Sequence, residues 1–261
     1  MKKVLSVQDL SCLGKCSLTV ALPVLSAMGH SCAVLPTAVL STHTAFQNPH
    51  ILSLTQHIAP ICDHWNTIGA EFDAISIGYL SQPEQVVQVE ALLDRFPALT
   101  VVDPVMGDHG KLYSGITPDQ VNAVKKLCQR ADILVPNITE ACLLTGTPYE
   151  ETCDPAFYTR LMEKLKETGA KEVVLTGVSY REGSIGFMTG SGYLYQSKKL
   201  PAQCHGTGDL FAAVLTGGCV AGLHVNTAAE KAAQFVERVL FSTPKETPYG
   251  IEFEKHLSWL L

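Results

Sequence analysis

The feature that most constrains this chain is an alternation of short apolar runs with longer segments of helical periodicity. Residues 4–7, 31–40, 73–78, 99–103, 132–136 and 171–176 read as strands buried on both faces. Residues 14–28, 50–69, 83–95, 118–130, 139–145, 154–168, 208–222 and 225–241 read as helices. Pro83 suits a first helical turn, and Gly29 suits a C-cap. Pro23 and Pro60 predict a kink or an interruption. Residues 184–189 and 192–196 read as a hairpin turning at Gly190-Ser191, and residues 252–260 close the chain. Strands alternating with helices predict an α/β fold with a mostly parallel sheet covered on both faces. A length of 261 residues suits one such domain, spanning 1–261.

Composition excludes several classes. Apolar residues are 46% and charged residues 17%, which predicts a globular chain. The net charge is −6 and there is no long basic run, so nucleic acid is not an expected partner. The start, Met1-Lys2-Lys3-Val4-Leu5, resembles a signal n-region, but its apolar run stops at Gln8-Asp9. No stretch approaches about 18 uninterrupted apolar residues, so no membrane span is expected. The nine cysteines form no C-x-x-C pair, and most sit in apolar stretches as small buried hydrophobes. Free thiols in that number suit the cytoplasm.

The polar residues that end the predicted strands carry the chemistry: Gln8-Asp9, Thr42-His43, Tyr79, Asp103, Asn137 with Glu140, and Thr176. In a parallel sheet, ligands bind at that carboxyl edge. The sharpest element is Gly206-Thr207-Gly208-Asp209 running into Leu210-Phe211-Ala212. Glycines allow a tight turn and close approach of a ligand. A helix starting there aims free N–H groups and a positive dipole end at an anion, such as a transferred phosphoryl group. Asp209 is placed to take a proton from an attacking hydroxyl; the plainer alternative is an N-cap with an Asp favoured by the dipole.

Asp103-Pro104-Val105-Met106-Gly107-Asp108 sets an acid at a strand end, suited to a metal held directly or through water. Asn137-Ile138-Thr139-Glu140 places Asn137 and Glu140 on one side of a helical turn. Glu140 there suits Mg²⁺ beside phosphates, and an ordinary helix cap is the alternative. Gly14-Lys15-Cys16-Ser17 resembles the end of a phosphate-binding P-loop. It departs at Asp9, where the first glycine belongs, and at Cys16, where Ser or Thr belongs. No G-x-G-x-x-G follows a strand and no G-x-S-x-G elbow occurs, which disfavours nicotinamide enzymes and α/β-hydrolases.

Together, Gly206 to Asp209, Asn137 to Glu140 and Asp103 to Gly107 resemble the ribokinase-like superfamily over nearly the whole chain. Within it, residues 4–8, 37–44, Gly78-Tyr79-Leu80 and Asp103 to Gly107 are similar to the vitamin B6 kinases. The resemblance implies a single three-layer αβα sandwich, usually a homodimer. It implies ATP and Mg²⁺, with K⁺ as an accompanying monovalent cation, and phosphorylation of the vitamin's 5′-hydroxymethyl group. It implies Asp209 as base and Gly206, Thr207 and Gly208 as anion hole. It puts Asp103 and Glu140 in the metal region, with Gln8, Asp9, Thr42, His43 and Tyr79 around the pyridine ring. Asn137, Thr176, Gly206, Gly208 and residues 198–205 fall on the nucleotide side. Asp9 stands where many B6 kinases carry Ser. His205-Gly206-Thr207-Gly208-Asp209 is closer to the form in hydroxymethylpyrimidine kinases of thiamine synthesis, the alternative enzyme. A catalytically silent vitamin- or nucleotide-binding regulator is the alternative outside enzymes.

Cys204 lies five residues before Asp209, at the end of a loop carrying Lys198, Lys199, Pro201 and Gln203. Nearby positive charge would lower its thiol pKa. A thiolate there would add reversibly to an aldehyde such as pyridoxal's, which makes Cys204 a candidate substrate-binding residue.

Overall fold

The computed structural model describes residues 1–151, 154–201, 204–245 and 247–261. Cys153 and Gln203 lie outside the described residues. The chain splits into two compact units, one of Met1–Leu99 with Leu200–Leu261, the other Thr100–Lys199.

The first unit starts with β1 (Lys3–Leu13), α1 (Leu18–Ala27), β2 (Ser31–Thr42), β3 (Ile51–Ser53), α2 (Thr55–Thr67), β4 (Ala74–Ile77) and α3 (Pro83–Arg95). β1 lies between β2 and β4 and is parallel to both, while β3 runs antiparallel along β2. Val4, Leu5 and Val7 are buried, as a strand covered on both faces requires. β1 does not stop at Gln8. It continues to Leu13, so Gln8 and Asp9 lie within the strand rather than beyond it. Its pairing with β2 shifts register between Gln8 and Leu10, where Asp9 sits. Such irregularities re-aim side chains and gather near functional sites.

The second unit begins within β5 (Leu99–Val102), at Thr100. It contains the ribbon β6 (Gly107–Asp108) and β7 (Lys111–Leu112), then α4 (Pro118–Cys128), β8 (Ile133–Leu134), α5 (Ile138–Thr145), α6 (Pro155–Lys166), β9 (Glu172–Val178), β10 (Ser184–Thr189) and β11 (Leu194–Lys198). β8 is parallel to β5 and to β9, and β10 is antiparallel to β9 and β11. The first unit then resumes with α7 (Thr207–Val220) and α8 (Val225–Ser242), and the chain ends in a 3₁₀ turn at Glu254–Leu260. α7 is apolar almost all round and correspondingly buried from Leu210 to Gly218.

Most helix expectations hold. α3 starts with Pro83 and buries Val86, Val89, Leu92 and Leu93 on one face. Gly29 takes φ 80° just beyond α1. Pro23 and Pro60 lie inside α1 and α2 and end neither. Three expectations need correction. The helix read over 50–69 is preceded by edge strand β3, too short for a period to register. Thr42 closes β2, and Thr176 lies inside β9, so neither follows a strand. Of the eight described cysteines, only Cys62, Cys128 and Cys142 are buried; Cys12 is exposed and the other four are intermediate. No helix among the described residues is long and apolar enough to cross a membrane.

The α3 face gives a stability test. Leu92 is 1% exposed, so Leu92→Ala is expected to cost about 2–5 kcal/mol of unfolding free energy, read from urea melts.

Candidate active site

In the first unit, the site is built at the start of α7. Its N-cap, Gly206, has φ 90°, a region that glycine enters without strain. A Cβ on Gly206 would lie 2.1 Å from the Lys15 carbonyl oxygen, so no larger residue fits. Leu210 N–H makes the first helical bond, to the Gly206 carbonyl at 2.9 Å. The N–H groups of the first turn, through Thr207, Gly208 and Asp209, precede that bond and carry the positive end of the helix dipole. This is a place for an anion.

Asp209 stands in that turn, partly buried. Burial lifts its carboxyl to about 6; the polar Ser17 backbone opposes this, and the charge of Asp9 pushes it further up. Ser17 holds φ 51° and ψ −128°, a sparsely populated backbone region that costs a non-glycine residue about 1–3 kcal/mol. Its hydroxyl donates to Asp9 Oδ1 at 2.5 Å, and the Ser11 hydroxyl donates to Asp9 Oδ2 at 3.1 Å. Asp9 is 4% exposed. Burial raises its pKa and the two serines counteract it. Cys16, between them in sequence, is pushed up to about 12 by burial and then by the charges of Asp209 and Asp9.

Other predicted residues surround this cluster. His43 is 5% exposed, and its Nε2 lies 2.9 Å from the Pro248 carbonyl. A carbonyl only accepts, so the ring proton is on Nε2. Nδ1 is buried with no hydrogen-bond partner. The His43 ring lies 4.6 Å from the His205 ring and 4.8 Å from that of Phe46. Burial and then Asp9 raise the Tyr79 phenol. Gln8 Nε2 donates to Ser6 Oγ at 2.8 Å, and Thr42 pairs opposite Leu13 at the end of β2. Burial pushes the Cys204 thiol up, with the Thr247 side chain opposing it; this runs against the lowered pKa expected from nearby lysines, because desolvation of a half-buried thiol dominates.

The second unit holds the other carboxylate pair. Asn137 caps α5, accepting the Glu140 N–H at 3.0 Å, while Glu140 Oε2 accepts the Asn137 N–H at 2.9 Å. This is the reciprocal capping box that was the plainer reading of the motif. Glu140 does more than cap: its Oε1 accepts the Met106 N–H at 3.1 Å, and Asn137 Nδ2 donates to the Gly107 carbonyl at 2.9 Å. The box therefore pins the segment that follows Asp103. Glu140 is buried, and desolvation and then Asp103 raise its pKa well above the ordinary carboxylate range. Two acids this close call for a cation. Mg²⁺ takes one or two protein carboxylates, its remaining positions going to water and phosphate oxygens, so Asp103 and Glu140 fit it. Thr176 donates its hydroxyl to the Pro136 carbonyl at 3.3 Å.

Residues 22–250 match the phosphomethylpyrimidine kinase family. The chain belongs to that family. Among its relatives is a pyridoxine/pyridoxal/pyridoxamine kinase of Bordetella pertussis, 30% identical over 265 residues that cover 92% of this chain and 89% of the relative. The pyridoxal kinase of Lactobacillus plantarum superposes with a TM-score of 0.92 at 34% identity, covering 100% of this chain and 96% of its own. A Bacteroides thetaiotaomicron chain crystallised with pyridoxal gives the same TM-score and identity over 99% of this chain and 95% of its own. The α/β fold with a mostly parallel central sheet, expected from the strand–helix alternation, is the ribokinase-like fold of these kinases.

The first unit thus gathers Gln8, Asp9, His43, Tyr79 and Asp209, and the second gathers Asp103, Asn137 and Glu140. Sequence reasoning missed Ser11 and Ser17. The signal for Ser17 was present: it ends Gly14-Lys15-Cys16-Ser17, the segment set aside as an imperfect P-loop. Gly206→Ala tests the close approach. It is expected to lower unfolding free energy by about 1–3 kcal/mol, the cost of a strained backbone site, measured by urea melts against wild type.

Proposed function

We propose that this chain is an ATP-dependent kinase that phosphorylates the 5′-hydroxymethyl group of pyridoxal, pyridoxine or pyridoxamine. The observation that carries the reading is Asp209 in the first turn of α7, its carboxyl raised to about 6 by burial. A base works best with a pKa near the working pH. Asp209 takes the proton of the attacking hydroxyl, and the N–H groups after Gly206 hold the charge spread over the transferred phosphoryl group. His43 brings its buried, unpartnered Nδ1 to a polar group of the ring. Asp103 and Glu140 are the residues that would hold Mg²⁺, which neutralises phosphate charge when bound. The named B6 kinase relatives and the pyridoxal-bound Bacteroides chain support the vitamin as substrate.

The family match and the His205-Gly206-Thr207-Gly208-Asp209 form favour one second reading, hydroxymethylpyrimidine as the acceptor alcohol. An ATP-consumption assay across the three vitamers and hydroxymethylpyrimidine, with K⁺ present and absent, separates them. Turnover of the pyrimidine alone would sink the B6 reading, and binding without turnover would make the chain a silent binder. The resemblance also implies a homodimer in the cytoplasm. The exposed Ile51 (44%) and Leu52 (55%) of edge strand β3 support a partner copy, and the free thiols support a reducing compartment.

Two tests address the residues. Asp209→Asn keeps the shape but cannot accept the proton, so kcat is expected to fall by about 10² to 10⁴. In wild type, Asp209 must be ionised to act. Activity should therefore rise with pH through about 6, the value to which its carboxyl is raised. Retention of more than about a tenth of kcat, or an acid limb near the ordinary carboxylate range, would remove Asp209 from the role. Glu140→Gln removes one of two carboxylates, so the Mg²⁺ titration of activity should move to higher concentration. An unchanged titration leaves Glu140 as a cap alone.

A further inference from the structure

The last stretch of the chain returns to the site. Residues 248–254 belong to the first unit and bond to segments far from them in sequence. The Pro248 carbonyl accepts from His43 Nε2 at 2.9 Å, just past the end of β2. The Tyr249 carbonyl accepts the Lys15 N–H at 2.7 Å, and Glu254 pairs with the Lys15 ammonium at 2.9 Å. The Ile251 N–H donates to the carbonyl of His205 at 3.0 Å, one residue before the N-cap of α7. Ile251 and Phe253 are buried and anchor the stretch in the core. Gly250 holds φ 104°, and a Cβ on it would lie 2.8 Å from the Lys15 carbonyl oxygen and 3.1 Å from that of His205. The stretch therefore threads between the Gly14–Ser17 loop and the approach to the anion hole.

A row of rings follows the same path. Tyr249, 48% exposed, stacks on Phe46 at 5.8 Å and 27°. Phe46 lies 4.8 Å from His43, and His43 lies 4.6 Å from His205. These spacings fall in the range of about 4.5–7 Å over which ring pairs attract. Gly14 closes on His43 too: a Cβ on it would lie 2.8 Å from His43 Cδ2. The His43 ring is thus confined on several sides and bonded at Nε2, yet its Nδ1 is buried with no hydrogen-bond partner. A buried polar atom in that state calls for a partner from outside the chain.

We propose that residues 248–254 are a strap that positions the acceptor pocket, with Tyr249 as its positioning residue. Tyr249 packs on Phe46, the Pro248 carbonyl beside it fixes His43 in the Nε2–H form, and Nδ1 is thereby held for a polar group of the acceptor ring. This rests on His43 meeting the acceptor alcohol. The strap's bonds to His43 and His205 come from its backbone, so no side-chain substitution removes them directly. The Tyr249 ring is the handle through which the stretch is loosened with those bonds left in place.

Tyr249→Ala removes the outer ring of the row. KM for the acceptor alcohol, pyridoxine or hydroxymethylpyrimidine, is expected to rise about three- to tenfold, the effect of weakening one neutral hydrogen bond. KM for ATP and kcat should stay within about twofold. A half-exposed side chain adds little to stability, so the urea midpoint should stay close to that of wild type. Tyr249→Phe keeps the ring and should restore the wild-type KM. A second readout needs no turnover. Nitrogen-15 NMR of the histidine rings at about pH 8, where imidazole is neutral, assigned with His43→Gln, should show His43 as the Nε2–H tautomer in wild type and as a mixture in Tyr249→Ala. A wild-type His43 with its proton on Nδ1 overturns the proposal. So does a His43 tautomer or an acceptor KM that is unchanged in Tyr249→Ala. Equal rises in KM for acceptor and ATP overturn it as well, because general loosening touches both. An inactive wild type sinks the kinase reading, while the tautomer still decides whether the strap holds His43.

Discussion

The Lys15 carbonyl passes so close beneath Gly206 that a Cβ there would lie 2.1 Å from its oxygen, and it approaches the Cβ position of Gly250 to 2.8 Å. That passage is the constraint on which the first unit's site depends. It presses the Gly14–Ser17 segment against the N-terminus of α7, and the Lys15 N–H to Tyr249 carbonyl bond at 2.7 Å fastens it from the other side. With the segment pinned, the Ser17 hydroxyl reaches Asp9. Glycine is required at the crossing for steric reasons, quite apart from any contact with phosphate.

Each unit sets a buried carboxylate beside a half-buried one, and the two solutions differ. Asp9 takes the hydroxyls of Ser17 and Ser11, one on each oxygen, while Asp209 stands in the first turn of α7. Hydrogen bonds to ionised groups are worth about 1.5–3 kcal/mol each, enough to offset part of the desolvation. Glu140 instead takes two backbone N–H groups while Asp103 pushes against it. The first arrangement suits a proton acceptor tuned between charged and neutral. The second leaves a surplus of negative potential that a divalent cation would relieve. The division agrees with the parts phosphoryl transfer needs, a base near the alcohol and a cation near the phosphates.

Much of this was legible in the chain itself. The apolar runs and helical periods locate nearly every strand and helix, because burial on both faces of a parallel sheet demands uninterrupted apolar residues. Gly206 to Asp209 read as an anion-binding helix start because glycines followed by an apolar helix have few other uses, and α7 starts at Thr207. Asn137 to Glu140 read as a cap or a metal site. The structure contains the cap geometry in full and adds the bond to Met106, which ties the two motifs together. The short strands β3, β6 and β7 were not legible, since two or three residues carry no period.

The sequence by itself determined the element order, the family-level motifs and the acids that matter, because these follow from local periodicity and residue type. Only the tertiary structure decided what each acid does. Whether Asp9 meets a ligand or a serine depends on a register shift between β1 and β2, a pairing of residues far apart in the chain that no local pattern encodes. The same holds for Cys204, whose lysine neighbours in sequence promised a lowered pKa. Desolvation, a property of the folded surroundings, set it the other way.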